Sequence, residues 1–313
     1  MTRITQHDID DLFLQQLRDW DLLQHNYQAI ENVKTREFAI GAARFKVQFN
    51  PARITSSAAK VDDRSIKQRP CFLCSKNRPP EQKGLPWGND YLILVNPYPI
   101  FPRHLTIPTP RHEPQRIATR IGDMMRLACD LNDFVIFYNG PLCGASAPDH
   151  AHFQAGCKDF MPFNNDLIRN GEIHEVAACN SATLGIVTNL ARTTFIIRTS
   201  DIDDGIVMFQ RLYEALPVAN GVCEPMLNIL CQTENGKLRI DVFPRAKHRP
   251  SYYYAAGESN ILISPASVDM GGVLITPLEK DFAKITATDI KKILDEVCID
   301  QATASLIIKR IKS

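Results

Sequence analysis

Apolar positions along the chain change period several times, and each change marks an element. Over 9–33, Leu12, Leu14, Leu17, Trp20, Leu22 and Leu23 recur at helical spacing with Asp and Gln between them, which predicts a packing helix. Over 37–49 the period shortens. Phe38, Ile40, Phe45, Val47 and Phe49 alternate as in a strand, and Pro51 in Asn50-Pro51-Ala52-Arg53 ends the pairing. Residues 56–69 are polar and mixed in charge, a loop. Short strands are predicted over 91–96 and 105–108, with Pro97, Pro99 and Pro102 shaping the turn between them. A helix is predicted over 114–131, with Ile117, Ile121, Met124, Met125 and Ala128 on one face. An apolar run, 134–138, then feeds a stretch of small residues. Beyond it His150, His152 and Gln154 stand at alternate positions of a strand-like segment, which would put all three on one side.

The second half repeats this order loosely. Residues 172–190 look irregular; 193–199 read as a strand and 201–216 as a helix. Residues 224–232 and 237–244 form a hairpin pattern around Glu234-Asn235-Gly236, where Asn-Gly favours a tight turn. Short strands over 262–264 and 272–276 precede a helix over 286–298. Short links and a helix on one side predict an α+β fold with a mainly antiparallel sheet. With no low-complexity linker, two halves fused into one sheet are expected, divided as 1–160 and 161–313.

Composition narrows the class. The 313 residues are 44% hydrophobic and 23% charged with net charge +1, an ordinary globular balance and not the basic one of a nucleic-acid binder. No apolar run approaches the roughly 20 residues of a membrane helix. The polar start, Met1 to Asp8, lacks a signal-peptide core, so a cytoplasmic protein is expected. Nine cysteines, an odd number, fit reduced thiols better than a disulfide framework.

Two motifs carry chemistry. Cys71-Phe72-Leu73-Cys74 is open to metal, redox or plain packing. A redox pair belongs at a helix start after a strand, whereas this one lies between a polar loop and Pro79-Pro80. A zinc site would need two more ligands, drawn from His104, His112, His150 and His152. The second motif is His150-Ala151-His152-Phe153-Gln154. Gly144, Ala145 and Ser146 just before it would let backbone N–H groups approach a phosphate. Neutral imidazole is a competent nucleophile at phosphorus, and an amide donates to phosphate oxygens without acting as an acid. Arg245 and Lys247, in a basic run after a strand, fit a second substrate's phosphate or a solvated loop. The aromatic run Tyr252-Tyr253-Tyr254 reads as packing in a strand. His7, His25 and His174 read as surface residues, and the other seven cysteines as structural thiols.

The segment from Asn139 to Gly156 resembles the signature of the histidine-triad superfamily in its transferase branch, which has His-x-His-x-Gln where the hydrolases have a third His. Asn50-Pro51-Ala52-Arg53 and Cys71-Phe72-Leu73-Cys74 resemble segments of galactose-1-phosphate uridylyltransferase. Asn96-Pro97-Tyr98-Pro99 and His104-Leu105-Thr106-Ile107-Pro108 resemble the superfamily's paired strands that hold base and ribose. His112-Glu113-Pro114-Gln115-Arg116-Ile117 and, more loosely, residues 261–295 are similar to GDP-hexose phosphorylases. The resemblance implies two fused histidine-triad-like halves in one half-barrel sheet with flanking helices. It implies a nucleotidyltransferase or phosphorylase acting on a nucleoside diphosphate sugar, with phosphate or a sugar phosphate as acceptor, and admits a homodimer. His152 would be the nucleophile in a double displacement, Gln154 and Ser146 its phosphate partners. Arg53, Asn96, Asn139 and Gly144 would bind substrate. Cys71, Cys74, His112 and His150 would hold a structural zinc, with His104 as the alternative fourth ligand.

The chain departs from the uridylyltransferase pattern at Asp149 and Ala151 and by one extra residue after Ser146, so base and sugar stay open. A diadenosine polyphosphate phosphorylase and a catalytically silent zinc-stabilised nucleotide binder are the rival readings.

Overall fold

A computed structural model describes residues 4–58 and 62–313. Ten strands form one sheet, antiparallel at every pairing, in the order β3-β4-β5-β7-β6-β11-β12-β10-β9-β8. The strands are β3 (Gly84–Trp87), β4 (Tyr91–Val95), β5 (His104–Pro108), β6 (Phe134–Asn139), β7 (His152–Cys157), β8 (His174–Cys179), β9 (Ala182–Val187), β10 (Thr194–Thr199), β11 (Leu227–Glu234) and β12 (Lys237–Pro244). A second sheet joins the hairpin β1 (Thr35–Ile40) and β2 (Ala43–Phe49) to β13 (Val273–Thr276), which runs parallel to β2. The α+β class with a large antiparallel sheet and flanking helices is therefore observed.

The large sheet is built twice over. Strands β3 to β7 lie in the order β3-β4-β5-β7-β6, and β8 to β12 in the matching order β8-β9-β10-β12-β11. Each group inserts a helix between its third and fourth strands, Ile121–Asp130 in one and Ile202–Ala215 in the other. The groups meet where β6 pairs with β11, Asn139 opposite Asn228. Alternation along the strands divides the core. Phe134, Ile136 and Tyr138 face the cluster holding both helices, while Val135 and Phe137 face the cluster that includes Phe45, Val47 and Val273 of the second sheet. On β7, Phe153 and Ala155 join the first cluster, so His152 and Gln154 point toward the layer that carries the second sheet.

Several elements differ from the periodicity. The first helix is two, Gln6–Asp19 and Asp21–Glu31, broken where buried Trp20 takes an extended backbone. The segment read as one strand over 37–49 is a hairpin that turns at Gly41, φ +56°. Residues 54–57 and 63–68 form short helices within the expected loop; 59–61 fall outside the described residues. The helix predicted from 114 starts at Ile121, because 113–115 spend their backbone on the segment 148–151. Residues 174–187 form the β8–β9 hairpin instead of irregular chain. No strand forms over 262–264; a helical turn, Ser267–Met270, follows it. Helices Pro162–Asn170, Glu279–Lys284 and Gln301–Lys312 were not anticipated. Tyr252-Tyr253-Tyr254 lies in the helical turn Ser251–Tyr254, with Tyr254 exposed. No helix among the described residues is long and apolar enough to cross a membrane.

Candidate active site

The strand β7 begins at His152, not at His150. Before it the chain turns through Pro148 and Asp149, and His150 sits in that turn, pinned through Ala151, which donates to Glu113 O and accepts from Thr109 N–H. The expected single row of three side chains is therefore wrong for His150. Its ring turns to Cys71 and Cys74, whereas His152 and Gln154 keep the strand alternation.

His152 is held by two neighbours. Its Nδ1–H donates to the carbonyl of His150 at 2.8 Å, which leaves Nε2 with its lone pair. Burial, then the nearby His150, pulls the imidazole down to about 4, so the ring is neutral near pH 7. Gln115, fully buried, clamps the same place: Oε1 accepts the backbone N–H of His152 at 2.8 Å, and Nε2 donates to His152 O at 3.0 Å and Asn139 O at 3.1 Å. One side chain thus ties the end of β6 to the start of β7.

The loop between those strands, 140–151, is rich in small residues for a steric reason. Gly144 has φ +90°, and a Cβ there would stand 2.5 Å from Ala266 Cβ. Among the described residues the backbone N–H groups of Gly144, Ala145 and Ser146 donate to no protein group, which leaves them for an anion or solvent. The carbonyl of Ser146 accepts from Arg69 at 2.6 Å. Arg53, in the turn Pro51–Arg53, donates to Tyr98 O at 2.9 Å; burial lowers its guanidinium to about 10, opposed by nearby Asp269. Asn96 shapes the turn after β4: its Oδ1 accepts Tyr98 N–H and its Nδ2 donates to Thr106.

Two expected substrate ligands do other work. Arg245 is buried, and its guanidinium donates to the carbonyls of Val297, Pro265, Lys247 and His248 and to Asn228 Oδ1, so it braces the fold and is spent as a phosphate ligand. Lys247 is exposed and pairs with Glu296 on the helix Ala287–Val297.

Cys71, Cys74, His112 and His150 come together, each offering one ligand atom, all within 4.8 Å of one another. Cys71 Sγ lies 3.3 Å from His150 Nδ1, Cys74 Sγ 3.3 Å from His112 Nδ1 and 3.6 Å from His150 Nδ1. A tetrahedral zinc places such atoms roughly 3.3–3.8 Å apart, so the set fits one. Burial opposes ionisation of Cys71, but His150 and the N–H groups of Leu73 and Cys74 outweigh it, and the thiol falls to about 6. Burial, then Cys71, pushes Cys74 up, so the pair resists a second negative charge until a cation joins it. The other nitrogens are also engaged. His150 Nε2–H donates to Thr109 O at 2.8 Å, and His112 Nε2 lies 3.5 Å from Asp149 Oδ2. The alternative ligand His104 is elsewhere, on β5 beside Gln154.

Sequence reasoning missed the braces. Nothing in the local pattern around Gln115 gives it a role. Asn228 donates to Asn139 Oδ1 at 3.2 Å and to Cys143 O at 2.8 Å, and Ser267 donates its N–H to Asn139 Oδ1 and its hydroxyl to Tyr138 O. Asn228 and Ser267 are some 90 and 130 residues downstream of Asn139 and belong to no local motif; only pairing of β6 with β11 would have revealed them.

Comparison with known proteins adds to this picture. A domain of unknown function (DUF4922) matches residues 12–157, a little under half of the chain. Diadenosine 5',5'''-P1,P4-tetraphosphate phosphorylase 2 of Saccharomyces cerevisiae is 31% identical over 111 residues, 30% of this chain and 34% of that protein. The aligned stretch thus spans about a third of that curated relative. The crystal structure of yeast Ap4A phosphorylase Apa2 in complex with Ap4A superposes with a TM-score of 0.57 at 16% identity, covering 90% of this chain and 97% of that one. Another crystal structure of yeast Ap4A phosphorylase Apa2 gives 0.55 at 17% identity over 89% and 94%. Over nearly its whole length, then, the chain has the fold of yeast Ap4A phosphorylase Apa2.

Proposed function

We propose that the protein is a nucleotidyl-transferring enzyme that cleaves a phosphoanhydride by double displacement through His152. The observation that carries this is the state of His152: neutral, with Nδ1–H bound to His150 O and Nε2 bare, next in sequence to a loop of backbone amides, both without protein partners among the described residues. In the first step Nε2 attacks the α-phosphorus of the donor. The N–P bond forms, the anhydride P–O bond breaks, and the electron pair leaves on the departing phosphate. In the second step an oxygen of phosphate or of a sugar phosphate attacks, the N–P bond breaks, and His152 returns to its starting state. By the motif resemblance, Ser146, Gly144, Asn139 and Gln154 would meet the phosphates, Arg53 would help to neutralise their charge and Asn96 would face the ribose. Cys71, Cys74, His112 and His150 would hold a zinc ion, which supplies a cross-link between the segment at 71–74 and the turn before β7. That link bears on catalysis because His150 carries both a ligand nitrogen and the carbonyl that orients His152.

Two donor classes fit the site, nucleoside diphosphate sugars and dinucleoside polyphosphates. The first follows from the motif resemblance; the second is favoured by the similarity to the yeast Ap4A phosphorylases. Intact-protein mass spectrometry after exposure to UDP-, GDP- and ADP-sugars and to diadenosine polyphosphates tests both. A mass gain equal to one nucleoside monophosphate is expected with the true donor and is absent from His152→Ala. No gain with any donor, or a gain that survives in His152→Ala, sinks the mechanism.

A further inference from the structure

Gln154 and Asn139 each carry a primary amide at the site, and the end that each presents decides what it can bind. Their orientations follow from unambiguous donors. Asn139 Oδ1 accepts the backbone N–H of Ser267 at 2.8 Å, so that atom is the oxygen. Its Nδ2 has no protein acceptor among the described residues. For Gln154 the decisive neighbour is His104. The backbone N–H of Ile100 donates to His104 Nδ1 at 3.3 Å, so Nδ1 is bare. The ring is fully buried and neutral, lowered to about 3 by burial first and then by nearby Arg53. Its one proton therefore sits on Nε2, which donates to Gln154 Oε1 at 3.1 Å. Gln154 Nε2 likewise has no protein acceptor among the described residues.

We propose that His104 is a positioning residue: it clamps the carbonyl oxygen of Gln154 so that the NH₂ end faces the phosphate held against His152. Ser267 and Asn228 treat Asn139 in the same way. This rests on the reading of His152 as the nucleotide-bearing residue. Two amides that offer only N–H groups select an acceptor-only anionic group and reject one that must donate. An unclamped amide is free to turn its oxygen toward the anion, since terminal amide torsions are broad. His104 itself reaches no substrate; its ring packs against Phe101 and Phe137, 5.3 and 5.8 Å between centroids.

The test is a double-mutant cycle read by calorimetric titration of AMP, GMP and UMP. The nucleotide that the wild-type protein binds should bind about tenfold more weakly to His104→Phe and to Gln154→Ala, the size expected for a hydrogen bond to a charged group. The double variant should lie within about twofold of Gln154→Ala alone, since His104 then has nothing to orient. His104→Gln, whose amide nitrogen stands in for Nε2, should stay within about threefold of wild type. Losses that multiply in the double variant, or full affinity in His104→Phe, overturn the proposal. Nitrogen-15 NMR of the wild-type histidines reads the clamp without any nucleotide and without depending on the folding of His104→Phe. A neutral Nε2–H tautomer of His104 from about pH 5 to 8 is expected; an Nδ1–H tautomer or an imidazolium refutes the clamp. Should that tautomer be found while none of the three nucleotides binds, the clamp stands and the nucleotide reading of the site fails.

Discussion

The carbonyl of His150 accepts the Nδ1–H of His152, so the proposed nucleophile is oriented by backbone two residues upstream. The imidazole beyond Cβ supports nothing else in the fold that a small residue would undo. His152→Ala should therefore lose all nucleotidyl transfer while its thermal midpoint stays within a few degrees of wild type, about 1 kcal/mol or less. A collapsed midpoint would mean that the ring is structural. Gly144→Ala should behave in the opposite way. Its φ of +90° and the 2.5 Å approach to Ala266 forbid a Cβ, so a loss of about 2–3 kcal/mol in urea denaturation is expected together with loss of transfer. At this scale much was legible. His152, Gln154, Cys71 and Cys74 could be picked out because each lies in a short motif with its own chemistry, whereas His112 and His150 were joined to the cysteines only by the family resemblance. Sequence offers His104 as a spare ligand because it gives no distance: His104 is only eight positions from His112, yet it lies on β5 and meets Gln154 through the β5–β7 pairing.

Between elements, the site hangs on struts that no motif announces. Gln115 makes three buried hydrogen bonds, to His152 N, His152 O and Asn139 O, at the junction of β6 and β7. Gln115→Ala leaves those backbone groups unpaired, and a destabilisation of about 3 kcal/mol with a slowed transfer step is expected. A control lies far from the site. Asp201 caps the helix Ile202–Ala215 by accepting from Asp203 N and Asp204 N. Asp201→Ala should cost about 1 kcal/mol and leave the transfer rate unchanged. If the control slowed transfer as much as Gln115→Ala did, the strut would lose its special status. Elements were legible where periodicity ran uninterrupted, as in Ile202–Ala215 and the β11–β12 hairpin. They were illegible where tertiary contacts overrode it. Residues 114 and 115 begin a helical pattern, yet the backbone at 113–115 bonds to 148–151 and no helix forms there. Glu175 and Ala177 flank a register shift in β8, which blurs the alternation of that edge strand.

Over the whole molecule, the two five-strand groups share one strand order, and the second group with its tail supplies a wall to the loop 140–151 of the first. Asn228 on β11 and the turn at Ser267 hold Asn139, while Ala266 packs on Gly144. Asp269 belongs to this wall. Burial raises its carboxyl to about 6, against the N–H groups of Ala266 and Ile275 that favour ionisation. A folded value above the unfolded one means that this group's contribution is fully present below about pH 4 and is lost as pH rises through about 6, a swing of about 3 kcal/mol. Asp269→Asn should flatten that part of the profile, measured by denaturation at several pH values; an unchanged slope would show that another group sets it. Metal belongs to this scale too, since an ion held by Cys71, Cys74, His112 and His150 would join the segment at 71–74 to the turn before β7. Purified protein should carry about one zinc per chain, and chelation or Cys71→Ser should lower the thermal midpoint. Zinc-free protein of unchanged midpoint on zinc addition would remove the metal reading.

By itself the sequence determined the α+β class and the motif chemistry, because alternation and short spacing are local properties that any backbone must respect; Cys71, Cys74, His112 and His150 were singled out together only by the family resemblance. It left undecided which way His150 points, whether Arg245 meets a phosphate or braces the chain, and which residues orient the two amides. Those were decided only when β7 was laid between β5 and β6, and β6 against β11. Hydrogen bonds between residues 37 to 128 positions apart, such as Gln115 to His152 and Ser267 to Asn139, depend on that pairing and leave no trace in the local pattern.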